Sequence, residues 1–163
     1  MNFSASIYST DGDEFRIRLE TICDHRLPDE VADIVCHAGL EIAEVELAHI
    51  SGRKASIKTL MAIAHLLANV FKENKNLIYY FYCDDMSDVV RRHKEITPQE
   101  FRSTLFSKMF ERYTVEHDMG TVFNIPIHIK GENYKVFQHI LIREEHMVYA
   151  KAIRDAVYKD YGK

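Results

Sequence analysis

Three aspartates, Asp84, Asp85 and Asp88, stand close together in the chain, and Arg91, Arg92 and His93 follow directly. Clustered carboxylates are hard oxygen donors of the kind that hold Mg²⁺ or Mn²⁺, and a metal so held assists attack on a phosphoester. In that reading Asp84 is the innermost ligand, Asp85 and Asp88 are the other acidic donors, and His93 is a base or a further ligand. The basic run Arg91-Arg92-His93-Lys94, taken with Tyr79, Tyr80 or Tyr82, would contact a phosphate or a single-stranded nucleic acid by charge and stacking. A structural reading competes at every position. Asp84 ends a strand, Asp85 faces water, Asp88 caps a helix, and the arginines form a solvated face paired with nearby acids. The structural reading is the simpler one, so no metal and no cofactor is expected.

Other reactive side chains carry less. There are nine histidines, but none forms H-E-x-x-H or a close zinc pair. His65 falls on the polar face of a helix, and His128 and His139 come near each other across a proposed hairpin if its register allows. Cys83 is a candidate nucleophile beside His93 or His139, or else a core thiol. The three cysteines (Cys23, Cys36, Cys83) have no C-x-x-C spacing, which argues against a disulfide framework and fits a reducing cytoplasm with all three thiols in or near the core. No nucleophile elbow, P-loop or dinucleotide fingerprint occurs. The tyrosine-rich run Leu77 to Cys83 either lines an aromatic pocket for a small ligand or is simply core.

The elements that must position these residues are legible in part. Period-two alternation on both sides of Asp11-Gly12 predicts a hairpin with strands over 4–10 and 14–22. Pro28-Asp29-Glu30 opens a helix that Gly39 closes. From Leu40 the apolar parity changes between Ile42 and Val45, which predicts either a strand over 40–49 with a bulge at Ala43-Glu44 or a continuing helix. Ile57, Leu60, Met61, Ala64, Leu67, Ala68 and Phe71 recur at helical steps behind Ser56 as N-cap, with Lys58, Ala62, His65, Asn69 and Lys72 opposite. Leu77 to Cys83 is apolar on both faces, as a covered central strand should be. Thr97-Pro98-Gln99-Glu100 is a capping box, and a short helical stretch over 88–95 precedes it. Two strands, Val122 to Ile129 and Tyr134 to Ile142, follow; Pro126 marks the first as an edge or a bulge. A terminal helix runs from His146 to Tyr158.

The partial alternation of strands and helices predicts an α+β fold: a mostly antiparallel sheet of five or six strands with helices packed on it as a two-layer sandwich. The 163 residues, with only 6 Gly and 3 Pro, form one globular domain over 1–163 in this reading. Hydrophobic residues make up 47% and charged residues 28% of the chain, and no apolar run approaches the ~18 residues of a membrane span. Met1-Asn2-Phe3-Ser4 enters the first strand without a basic or apolar leader, so no secretory signal is expected and the location is cytoplasmic. The net charge of −4 combines about −8 over residues 1–50 with about +4 over the remainder. That balance is too acidic for a dedicated duplex-DNA binder, and nucleic acid is not the expected partner.

The order of features resembles a family of small single-domain Bacteroidetes proteins catalogued as a domain of unknown function. An amphipathic helix ending in Val70-Phe71 leads to a strand ending Cys83-Asp84. Arg91 and Arg92 precede the aromatic helix end with Phe106, Met109 and Phe110. His139-Ile140-Leu141-Ile142 then runs into the last helix through His146. The likeness spans about 55–157 and implies this fold and a bacterial source, but no activity. On function, the sequence favours a non-enzymatic bacterial interaction or regulatory module, working through an unidentified protein partner or self-association and not on a membrane. The alternative is a metal-assisted phosphoester hydrolase or nuclease centred on Asp84, Asp85, Asp88 and His93.

Overall fold

A computed structural model describes residues 2–9, 12, 14–22, 28–50, 56–83 and 95–161. Alternating side chains make the first hairpin, β1 (Asn2–Tyr8) and β2 (Glu14–Thr21), and Gly12 supplies a φ of +77° in its turn. Helix α1 (Asp29–His37) follows, its first turn acidic where the dipole favours acids. It ends in a Schellman motif, in which the amide of Gly39 donates to Cys36 O and that of Leu40 to Val35 O, at 3.1 and 3.0 Å. Gly39 holds a φ of +63°, a conformation that side chains disfavour. Strand β3 (Glu41–His49), helix α2 (Ile57–Glu73) and strand β4 (Leu77–Cys83) then form a parallel crossover unit. Helix α3 (Pro98–Glu116) starts in the complete capping box between Thr97 and Glu100. The hairpin β5 (Val122–Lys130) and β6 (Lys135–Arg143) leads through a single 3₁₀ turn into α4 (Met147–Tyr161).

The six strands form one sheet in the order β1-β2-β3-β4-β6-β5. Every neighbouring pair is antiparallel except β3 with β4. The α+β class and the mostly antiparallel sheet are as the sequence predicts. Pro126 lies in β5, an edge strand, where its missing N–H costs the fewest ladder bonds. Strand β4 is interior, with strands on both sides and apolar cover on both faces.

The layer count differs from the expected two. Helices α1 and α4 pack on one face through Val31, Val35, Ile153 and Val157, against Ile42, Ile78, Ile127 and Ile140. Helix α2 covers the other face through Phe71 and Ile63, against Leu19, Val45, Tyr79 and Ile17. Helix α3 lies on that second face too, since Ser103 reaches His139 and Phe106 stacks on Phe81. The sheet is therefore the middle of three layers.

This explains the parity change in β3 without a bulge. The β2–β3 register is continuous from Thr21↔Ala43 to Phe15↔His49. Ile42 faces α1, whereas Ala43 and Val45 face α2. The strand is apolar on one face at its start and on the other further along, because different helices cover its two ends.

Two other expectations change. Helix α2 buries Ala68 and Phe71 of the expected stripe and exposes Lys58, Ala62, His65, Asn69 and Lys72 opposite, but Thr59 and Ile63 are buried as well and Ile57 is 53% exposed. Cys36 is exposed rather than in the core, and Cys83 is buried. Cys23 and, apart from Glu95, the helical stretch expected over 88–95 lie outside the described residues.

Candidate functional site

The two faces of the sheet are packed differently. The α1/α4 face is closed by aliphatic side chains, with Ile78, Ile127, Ile140 and Ile142 almost fully buried. The α2/α3 face is built from larger and flatter groups, and many of them are half-buried. The apolar stripe of α3 (Phe101, Leu105, Phe106, Met109 and Phe110) is half-buried throughout, and the buried residues of that helix are Ser103 and Tyr113. The reason is a cavity of about 680 Å³ between α2, α3 and the sheet. Protein interiors pack like organic crystals and hold few voids larger than a water molecule, so a space of this size is not loose packing. It falls within the volume range of small-molecule sites, about 300–1,000 Å³.

Each wall follows from a local rule. On β4 the side chains alternate, so Tyr79 and Phe81 face the cavity while Ile78 and Tyr80 pack on the opposite core. Tyr79 donates its hydroxyl to Leu67 O at 2.9 Å, which ties strand to helix. Burial raises the Tyr79 phenol well above its ordinary value, so that donor stays protonated. Helix α2 supplies Leu60, Ile63, Ala64 and Leu67. The small Ala64 and Ala68 keep that wall back. Helix α3 supplies Arg102, Phe106, Met109 and Tyr113 from one line of its surface.

At one end a polar clasp joins the two helices. Tyr113 and His65 Nδ1 are hydrogen-bonded at 3.0 Å, and Tyr113 stacks on His117 with ring centroids 4.1 Å apart. Burial raises the Tyr113 phenol, which keeps its proton at neutral pH. At the other end the sheet comes apart. Parallel pairing of β3 with β4 runs only from Glu41↔Leu77 to Glu44↔Tyr80, although both strands continue. The cavity reaches that seam, between Val45 and Leu47 on one side and Phe81 and Tyr82 on the other. Ligands of sheets with helical crossovers gather outside the carboxyl ends of parallel strands, and here the seam is that place.

Behind the cavity wall lies a buried polar chain. Asn124 Nδ2 donates to Ser107 Oγ at 3.3 Å, which turns Asn124 Oδ1 toward His139. His139 Nδ1–H therefore donates to Asn124 Oδ1 at 2.9 Å, leaving Nε2 to accept from the Ser103 hydroxyl at 2.8 Å. His128 Nε2–H donates in turn to Ser103 Oγ at 3.4 Å. Burial pushes His139 down to about 4, helped by His128. Burial, with Lys130 nearby, also lowers His128, against the pull of Glu100.

Hydroxyl, imidazole and amide in this order resemble a nucleophile, a base and its orienting group. Access is what they lack. Ser103 is 5% and His139 0% exposed, and Phe106, stacked on Phe81 at 4.6 Å, covers His139 at 4.8 Å on the cavity side. The chain of bonds satisfies buried polar groups and pins α3 to β5 and β6.

The residues singled out by type are placed differently. Asp84, Asp85, Asp88, Arg91, Arg92 and His93 lie outside the described residues. Among the described residues no group of three or more His, Cys, Asp or Glu could hold a metal ion. His65 is on the polar face of α2 as expected, and His128 and His139 meet through Ser103. Tyr79 and Tyr82 do line a pocket. Sequence reasoning missed Ser103 and Asn124 as partners of His139. A signal was available for the cavity: the apolar residues of α3 spread over more of its circumference than one flat contact requires. Among the described residues no helix is long and apolar enough to cross a membrane. No protein-family model, curated protein or solved structure matches the chain.

Proposed function

We propose that this protein is a non-enzymatic binding and regulatory module that holds an apolar small molecule between α2, α3 and the sheet. The observation that carries the reading is the apolar cavity of about 680 Å³ on one face, beside an opposite face whose described core is a cluster of buried aliphatic side chains. A polar clasp at one end and an open strand seam at the other make it a site with two distinct ends. Occupancy would brace α2 against α3, and a protein partner or a second copy would read that change at the surface. The setting is a reducing bacterial cytoplasm, a reading supported by the free thiols of Cys36 and Cys83.

Calorimetric titration with hexanol, octanol and decanol tests this. Each buried methylene contributes about 0.8 kcal/mol, so affinity should rise about fourfold per added carbon, with a negative heat-capacity change. Ala64→Phe places a ring in the cavity. It should abolish binding without lowering the melting temperature. The reading fails if no alcohol binds saturably, or if the phenylalanine variant binds as the parent does.

A further inference from the structure

The two edges of the sheet differ. Strand β5 forms one edge and is interrupted at its centre by Pro126, with His128 and Lys130 further along. Proline and charge are devices that keep an edge from pairing with another chain. Strand β1 forms the other edge, and its seven residues, Asn-Phe-Ser-Ala-Ser-Ile-Tyr, hold no proline and no charge. Its register with β2 is unbroken from Asn2↔Glu20 to Tyr8↔Glu14, so no bulge turns it away. Among the described residues no strand lies on its outer side. Which groups face outward follows from β2. Glu14 O accepts from Ile50 N, and just beyond the strand Ile22 N donates to Ile42 O, so the even-numbered residues of β2 bond to β3. The odd-numbered ones, Phe15, Ile17 and Leu19, bond to Ile7, Ala5 and Phe3 of β1. The main-chain groups of Asn2, Ser4, Ser6 and Tyr8 therefore point out of the sheet. Their side chains are exposed too, Tyr8 by 69%. Phe3, Ala5 and Ile7 alternate with them and are half-buried on the α2 face.

We infer that β1 is a self-association edge: two copies pair β1 with β1, antiparallel, about a two-fold axis at Ala5, and the two six-stranded sheets join into one. The strand reads alike in both directions from Ala5. Ser4 falls opposite Ser6 of the second copy, Phe3 opposite Ile7, and Asn2 opposite Tyr8. Bonded and non-bonded pairs alternate in an antiparallel ladder, and the non-bonded ones lie closer, with Cα atoms about 4.5 Å apart. In this register the polar pairs Ser4–Ser6 and Asn2–Tyr8 are the bonded ones, and each exchanges two main-chain hydrogen bonds between groups that already face outward. The apolar pairs Phe3–Ile7 and Ala5–Ala5 are the close ones, where half-buried side chains gain cover. A slip by one residue sets Phe3 against Ser6 and mismatches both faces. The pairing consumes β1, and the β5 edges that remain carry Pro126, so assembly closes at a dimer. Seven residues a side make a small interface, so the dimer is a weak one, with a Kd in the micromolar range. No residue of β1 lines the cavity, and the inference stands whatever the cavity holds.

Sedimentation velocity on the full chain, from about 5 to about 500 μM, reads the monomer–dimer equilibrium. The native chain should pass from monomer to dimer across that range. Ser6→Pro removes an amide that faces outward rather than one that bonds to β2, so it should weaken the dimer by about tenfold or more while the urea midpoint of the fold holds. Charge tests the register. Ser4→Lys with Ser6→Lys sets ammonium groups opposite each other across the axis, and Ser4→Asp with Ser6→Asp does the same with carboxylates. Each charged variant alone should stay monomeric at every concentration, and an equimolar mixture of the two should dimerise. A native chain that is monomeric throughout overturns the inference and leaves the edge to a strand of another protein. A native dimer that Ser6→Pro or either charged variant forms equally well overturns it too, and a mixture that stays monomeric overturns the two-fold axis at Ala5.

Discussion

His139 sits at the centre of the buried polar chain, and its ionisation is tied to folding. The folded imidazole remains neutral until about pH 4, whereas an unfolded histidine takes its proton near 6.5. As pH falls below 6.5 the unfolded chain binds a proton that the folded chain refuses, so stability drops between about 6.5 and 4 and levels off below that range. The gap corresponds to roughly 3 kcal/mol. Urea unfolding at pH 7.5 and 4.5 should show this loss in the native chain and most of it missing in His139→Gln. An identical pH response in both would mean that His139 does not titrate as its surroundings dictate. At this scale the sequence was informative about residue type and silent about company. His139 could be read as a neighbour of His128, but Ser103 and Asn124 are ordinary helix and strand residues until the fold brings them to its two nitrogens.

Elements whose ends are chemically marked were the legible ones. The Asp-Gly turn, the Thr97–Glu100 capping box, Gly39 at the end of α1 and Pro126 at a sheet edge each have one local cause, visible in a few residues. These marks should carry measurable stability. Thr97→Ala removes a side-chain cap and should cost about 1 kcal/mol. Gly39→Ala forces a side chain into the left-handed region and should cost roughly 1–2 kcal/mol. Both are read from urea midpoints at constant m-value, and a change below a few tenths in either would contradict the assigned role. The faces of the elements were harder to read, because helical spacing shows that a stripe exists but not which layer it meets. The bulge expected in β3 is absent because the apolar parity change marks a change of covering layer along the strand. With helices on both sides, Ile42 and Val45 each have their own partner layer.

At the scale of the whole molecule, the asymmetry between the two faces is what suggests a function. The α1/α4 side is an aliphatic core that gives rigidity, and the α2/α3 side spends its aromatic residues on walls. In sequence the two look alike, since a phenylalanine lining a cavity and one filling a core obey the same periodicity. Asp84, Asp85 and Asp88 stand out in the sequence because their type announces chemistry, whereas the cavity walls carry no such mark. Ligand occupancy should couple to stability: a ligand at a hundredfold excess over its Kd should stabilise the fold by about 2.7 kcal/mol if it binds only the folded chain. The most direct measurement is a methyl NMR titration of the isoleucine-, leucine- and methionine-labelled protein with decanol. Saturable shifts are expected at Ile63, Leu67, Leu105 and Met109, around the cavity, with Ile153 and Ile127 on the opposite face unmoved. Shifts centred on Ile153 and Ile127, or no saturable shift at any methyl, would contradict the cavity reading.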